Sequence, residues 1–203
     1  MPRIAGQIDL AKTQAILDAA AEVFAQRGLT AGLDDIARRA GVSKQTIYNH
    51  YGSKTELVRA LATRRVREVT AALDLPGAVE NPRAALVDYA RQLLNGLANS
   101  RAQGVARLAI LSVGEMPELA KAIYEAGPQA SRSRLAEFLQ QENAAGRIDA
   151  PDPPQASAIF ASMAIGPYQL ETLIGIGRPL SAAEIDQIAE EVVTRFLRAY
   201  APA

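Results

Sequence analysis

The sequence contains no cysteine, which excludes disulfides and thiolate metal sites from the start. It contains one histidine, His50, and a multi-histidine metal site needs several. No run of 18 or more apolar residues occurs, so no membrane-spanning segment is indicated. Met1 to Leu10 lacks the apolar stretch of a secretory signal. Long apolar/polar alternation is also missing, and β-branched runs are short, which leaves no convincing strand. These absences point to an all-α, cytoplasmic protein without a metal or other cofactor.

What is present is ordinary in bulk and uneven in placement. The chain has 203 residues, 49% apolar and 22% charged, with a net charge of zero. That length can bury a real core, as one domain or two small ones. Residues 1–67 carry 11 Lys/Arg against 6 Asp/Glu, a net +5, and residues 68–203 carry 11 against 16, a net −5. A basic head on an acidic body suits a protein that meets nucleic acid at one end.

Helical signals run nearly throughout. Between Leu10 and Arg27, Ile16, Leu17, Ala20, Val23 and Phe24 fall on one face, and Gly28 ends the helix. Short helices are expected from Leu33 to Ala40 and from Lys44 to Tyr51, the second capped by Ser43. Ser53, with Glu56 three residues on, reads as a capping box opening a helix to about Leu73. Pro76 and Gly77 mark a boundary, and Asn81-Pro82 reads as a cap with proline at the first helical position. Further helices are expected over 82–99, 102–114 and from Pro117 to about Ala126. Gly127-Pro128 is expected to separate the last of these from a helix over 129–145. Residues 146–154, with three prolines and a glycine, read as a loop, followed by helices over 155–175 and 181–200. The domain division expected is 1–53 as the head, 54–73 as a connecting helix, and 74–203 as the body.

The segment LDDIARRAGVSKQTIYNHY, from Leu33 to Tyr51, carries the chemistry. Two short helices meet at a tight Gly41-Val42-Ser43 turn, and Ile36, Ala37, Val42 and Ile47 are placed to share a small core. That is the logic of a helix-turn-helix, whose second helix enters the major groove. Its outer face offers Lys44, Gln45, Thr46, Asn49 and His50. Gln and Asn pair with adenine edges, and Thr contacts a thymine methyl. Ser43, Lys44, Tyr48, His50 and Lys54 suit phosphate oxygens. A plain helical hairpin with a solvated polar face is the competing reading of the pattern. His50 as a general base has no nucleophile or other reaction partner beside it in the sequence.

Residues 14–61 resemble the DNA-binding domain of the TetR family, on ILDAAAEVFAQRGL and LDDIARRAGVSKQTIYNHYGSKTELVRAL. The run AGVSKQTIYNHYGSK, residues 40–54, is very specific to that family. The resemblance implies that Gln45, Thr46 and Asn49 face bases, and that Ser43, Lys44, Tyr48, His50 and Lys54 hold the backbone. The chain departs from the pattern at Gly32, where the family usually has Thr or Ser, and in a loop one residue shorter from Gly28 to Ile36. Tyr51 stands where Phe is commoner. Arg3 and Lys12 are further candidates for phosphate or minor-groove contacts.

The resemblance also implies a twofold homodimer built on the last two helices, a palindromic duplex operator, and a small ligand within the body. Apolar residues Phe160, Ile185, Ile188, Val192 and Phe196 are the expected dimer face. Tyr89, Leu93, Leu111, Met116, Met163 and Tyr168 are the expected ligand wall, next to Pro117 and Pro167, which can kink helices. Few central charges imply a largely apolar ligand. The function expected is a DNA-binding regulator, a repressor released by a small molecule, and not an enzyme. A helical carrier or a protein-binding adaptor without DNA function is the alternative. An enzyme built as a bundle would need a convergent site, and no E-x-x-H pair or catalytic constellation occurs.

Overall fold

The computed structural model describes residues 10–78 and 80–202, apart from the side chain of Pro76. Ten α-helices make up these residues: α1 Leu10–Arg27, α2 Leu33–Ala40, α3 Lys44–Tyr51, α4 Lys54–Thr70, α5 Pro82–Ala98, α6 Ser100–Ser112, α7 Pro117–Tyr124, α8 Ala130–Ala144, α9 Pro153–Ile174 and α10 Ala182–Ala199. No strand is found among the described residues. None of their helices is long and apolar enough to cross a membrane, and none of their His, Asp and Glu side chains cluster as a metal site.

The ends of these helices follow from local chemistry. Asn81, Asn99, Asp152 and Ser181 each accept a backbone N–H of the first turn they precede. The full capping box lies at Ser181–Glu184. Arg178 and Ser181 both bond the Glu184 carboxylate, which holds it down from 4.5 to about 2, the Arg178 hydrogen bond being the larger cause. At Ser53 only half of the expected box forms. Ser53 accepts the Glu56 N–H, but the Glu56 carboxylate turns to Arg59 instead of back to the cap.

Three expected boundaries move. The loop before α9 is shorter, because Pro153 and Pro154 open the helix, where a missing N–H costs nothing. Gly127-Pro128 does not separate two helices. Residues Glu125–Gln129 form a wide π turn that carries α7 straight into α8, and the wider ring absorbs the lost N–H of Pro128. α4 stops at Thr70 and tightens into a 3-10 turn, Ala71–Asp74. Pro117 starts α7 and does not kink it, whereas α9 breaks at Gly166 (φ +31°, ψ −128°), just before Pro167.

Two cores form. One joins Ile16, Phe24, Ile36, Ile47 and Leu57 of α1 to α4 with Leu108, Leu119 and Ile123 of α6 and α7. The other joins Val69, Leu86, Tyr89, Phe138, Phe160, Val193 and Phe196 from the end of α4 and from α5, α8, α9 and α10. α4 contributes to both. α1 and α6 cross in direct backbone contact at Ala25 and Gly104. Beside the crossing, Glu22 of α1 pairs with Arg39 of α2 and with Arg101 of α6.

Candidate nucleic-acid interface

α2 and α3 meet through Ile36, Ala37 and Ile47, all buried, with Val42 half-buried against them. Gly41 closes the turn at φ +66°, a conformation that side chains with a Cβ adopt rarely. Gly32 caps α2 through its backbone alone and offers no side-chain bond. Ser43 caps α3, accepting the Thr46 N–H at 3.0 Å, and its Oγ lies 2.8 Å from the Thr46 hydroxyl.

The core is covered by Ile47 and the half-buried Tyr51, which leaves Ser43, Lys44, Gln45, Tyr48, Asn49 and His50 exposed on one polar surface, with Thr46 half-buried. Their side chains are partly organised already. Lys44 Nζ donates to Asp34 of α2 at 2.9 Å, and that bond raises the lysine's pKa. Gln45 Nε2 donates to Asn49 Oδ1 at 2.7 Å. His50 stands edge-on to Tyr51, ring centres 4.4 Å apart. The Tyr51 hydroxyl is buried and finds no hydrogen-bond partner among the described residues. Burial pushes its pKa up. A phenylalanine here would have no hydroxyl to leave unpaired.

Lys54 does not join this surface. Its half-buried ammonium donates to the Leu29 carbonyl at 2.9 Å and lies 5.7 Å from the centre of the Phe24 ring. Burial lowers its pKa. It braces α4 against the turn after α1, a role that spacing along the chain could not reveal. Lys12 is exposed on the first turn of α1, and Arg3 lies outside the described residues.

A tight turn, a small shared core and an exposed polar second helix are the parts of a helix-turn-helix. The family model described as "Bacterial regulatory proteins, tetR family" matches residues 16–61. A second, described as "AefR-like transcriptional repressor, C-terminal domain", matches residues 84–202, more than half of the chain. The chain belongs to the TetR family. It is 54% identical over 52 residues to the HTH-type transcriptional activator FasR of Mycolicibacterium smegmatis. That match covers 25% of this chain and 24% of FasR. It is 42% identical over 62 residues to the HTH-type transcriptional repressor KstR2 of Mycobacterium tuberculosis, 30% of each chain. These matches span only about a quarter to a third of those curated relatives, and one is an activator while the other is a repressor.

Solved TetR-family structures align over nearly the whole chain. One from Mesorhizobium loti MAFF303099 is 25% identical, covers 96% of this chain and 100% of its own, and gives a TM-score of 0.78. The flavonoid-responsive regulator FrrA is 32% identical, with 94% and 97% covered and a TM-score of 0.70.

The expected ligand wall is not gathered into one cavity. Tyr89 is fully buried, with its hydroxyl 2.9 Å from Ser131 Oγ and its ring beside Phe160. Burial raises its pKa. Leu93 packs half-buried on the same core. Leu111, Met116 and Met163 are exposed, on the last turn of α6, at the cap before α7 and on the outer face of α9. Tyr168 lines a cleft of about 120 Å³ with Leu94, Leu97, Glu171, Arg178 and Leu180, directly after the break in α9. A second, charged cleft of about 250 Å³ lies between α5 and α10. Both are below the roughly 300–1,000 Å³ of a typical small-molecule pocket.

The expected dimer face also needs correction. Phe160, Ile185, Val192 and Phe196 are buried inside this chain's own core, and Ile188 is half-buried against it. Side chains already covered have no area left to give a partner. The apolar surface that stays exposed on these helices is a stripe along α9: Ile159, Met163, Leu170 at 64% and Ile174 at 61% exposure. The exposed polar residues of α10 are Asp186, Gln187, Glu190, Glu191, Arg195 and Arg198.

Proposed function

We propose that this chain is a sequence-specific transcriptional repressor that works in the cytoplasm as a homodimer on an inverted-repeat operator and is released by a small, largely apolar ligand. The observation that carries the reading is the exposed face of α3, where Lys44, Gln45, Tyr48, Asn49 and His50 stand clear of the core on a helix locked to α2. In this reading Gln45, Thr46 and Asn49 meet bases, while Ser43, Lys44, Tyr48 and His50 hold phosphates. Lys44 exchanges Asp34 for phosphate on binding. The head is residues 1–53, the connecting helix follows, and the body from residue 74 onward takes the ligand. The match of the body to a repressor C-terminal domain favours repression over activation. The ligand reading leans on FrrA, which is flavonoid-responsive by name, and on the cleft at Tyr168. Ligand entry would have to enlarge that cleft, and only a ligand that binds the enlarged state better can shift the protein towards it.

The test is selection from a random duplex pool at two salt concentrations. Enrichment of an inverted repeat is expected. For six to ten phosphate contacts, affinity should fall about 10³- to 10⁵-fold between 50 and 200 mM salt. A folded protein that enriches no sequence would move the weight to a carrier or adaptor.

The α9 stripe is the proposed dimer face. Leu170→Asp with Ile174→Asp is expected to give monomers by light scattering with helicity unchanged, because both residues are exposed in the single chain. An unaltered dimer mass would place the interface elsewhere.

A further inference from the structure

The second half of α9 is held differently from the first. The buried residues of α9, Ala156, Ser157, Phe160, Ala161 and Ala164, all precede the break at Gly166. From Pro167 to Ile174 no side chain is buried, although Tyr168 packs half-buried against the body core. Glycines at positive φ bound this short segment at both ends, Gly166 at +31° and Gly175 at +84°. A stretch with little buried apolar surface shifts at lower cost than the core beside it.

Hydrogen bonds hold the C-terminal end of the segment. Arg107 of α6 donates from Nη2 to the Thr172 carbonyl at 2.7 Å and from Nε to the Leu173 carbonyl at 3.0 Å. The last carbonyls of a helix lack donors within it, and a cation there suits the helix dipole. From the loop after α9, the Ile176 and Gly177 N–H groups both donate to the Glu171 carbonyl at 3.0 Å.

α6 is packed into the other core. Leu108, next to Arg107, is buried among residues of α1 to α4, and Gly104, one turn earlier, touches Ala25 of α1. Arg107 therefore ties the last turn of α9 to a helix seated in the head. Tyr168, Glu171 and Thr172 of the same segment line the cleft below Leu180.

We propose that Pro167–Ile174 is a movable segment whose displacement by an occupied Tyr168 cleft is passed to the head, and that Arg107 is the positioning residue that passes it. This rests on the reading of that cleft as the ligand site and of the head as the part that binds DNA.

Gly177 allows a test without a ligand. A Cβ there would stand 2.9 Å from Thr172 N, 3.0 Å from its Oγ1 and 3.1 Å from its Cα. The loop is tied to the α10 cap by the Arg178–Glu184 pair, so the segment is what yields. Gly177→Val thus wedges the segment off the loop and widens the cleft, and Gly177→Ala is the milder wedge. Arg107→Met keeps a long side chain but has no N–H for the carbonyls.

The chain has no cysteine, so spin labels at Arg38→Cys in the head and Gln140→Cys in the body, both exposed positions, report one distance. Dilution with unlabelled protein confines it to a single chain. Affinity for the selected duplex is measured on the same proteins, with helicity as the check on folding. Gly177→Val is expected to shift the mean label distance and to lower operator affinity about 5- to 150-fold, the usual range of coupling between sites. Gly177→Ala acts in the same direction and less. In the Arg107→Met background neither wedge moves either reading further.

A wedge effect that persists without Arg107 overturns the role given to that residue. A label distance that neither wedge changes in folded protein overturns the movable segment. A distance that shifts as expected in a protein that selects no duplex supports the coupling and sinks the DNA reading alone.

Discussion

Gly104→Val is expected to force α1 and α6 apart and to lower both thermal stability and operator affinity. A Cβ at Gly104 would stand 2.4 Å from Ala25 Cα, 2.6 Å from its Cβ and 3.0 Å from its N. These are backbone and near-backbone atoms, which cannot rotate away as a flexible side chain does. The helices themselves must separate, and the valine methyls widen the gap further. Overpacking of this kind costs about 1–3 kcal/mol, and contact with backbone puts this site near the top of that range. For a chain of this length each kcal/mol lowers Tm by about 2–4 °C. Valine's helix propensity offsets the cost by only a few tenths of a kcal/mol relative to glycine. Gly114→Ala is the control, since nothing lies within 4 Å of its added Cβ. The same crossing ties head to body beside the Glu22–Arg101 pair, so tilting α6 moves the head as well. Calorimetry and a binding titration at fixed salt check both parts. An unchanged Tm in the valine variant would mean that the helices are not in contact there.

Phe196→Ala is expected to cost about 3–5 kcal/mol of folding stability, the range for emptying a large aromatic site in a core. Phe196 is fully buried, its ring centre 5.0 Å from that of Phe160 and 4.7 Å from that of Tyr200. Against a total stability of about 5–15 kcal/mol, that is a large share. The result separates two positions for this side chain. In the core of the single chain, its loss lowers the urea midpoint at every protein concentration and leaves the oligomeric state unchanged. At a dimer face, its loss would yield a folded monomer with wild-type helicity, and that outcome would overturn the core placement.

The difference between these positions is also where the sequence stopped being informative. The stripe Ile185, Ile188, Val192 and Phe196 shows that α10 has one apolar face. It does not say whether α5 and α9 of the same chain or a second copy covers it. Periodicity reports burial without naming the partner. α9 is apolar over more than one face, and the structure divides it: Phe160 and Ala164 go inward, while Ile159, Met163, Leu170 and Ile174 stay out. The ligand wall was overdrawn for the same reason. Met and Tyr at helical spacing mark packing, and packing is needed everywhere. Gly104 did leave a signal, because a glycine inside a helix costs about 1 kcal/mol against alanine unless a close approach requires it. Lys54 left none, since the Leu29 carbonyl that holds it is 25 residues away.

Local rules were enough for the all-α class, the helix ends at Gly28, Gly41 and Gly52, the caps at Ser43, Ser53 and Asn81, and the polar face of α3. Each depends on residues within one or two turns of one another, where backbone geometry fixes what can meet. The tertiary structure decided the rest: which apolar face of α9 is spent on the core, the α1–α6 contact at Gly104, and the buried brace of Lys54. It also decided the unbroken path of α7 into α8 through a π turn. In each of these, a distant segment supplies the contact or the space that selects among conformations the local sequence permits.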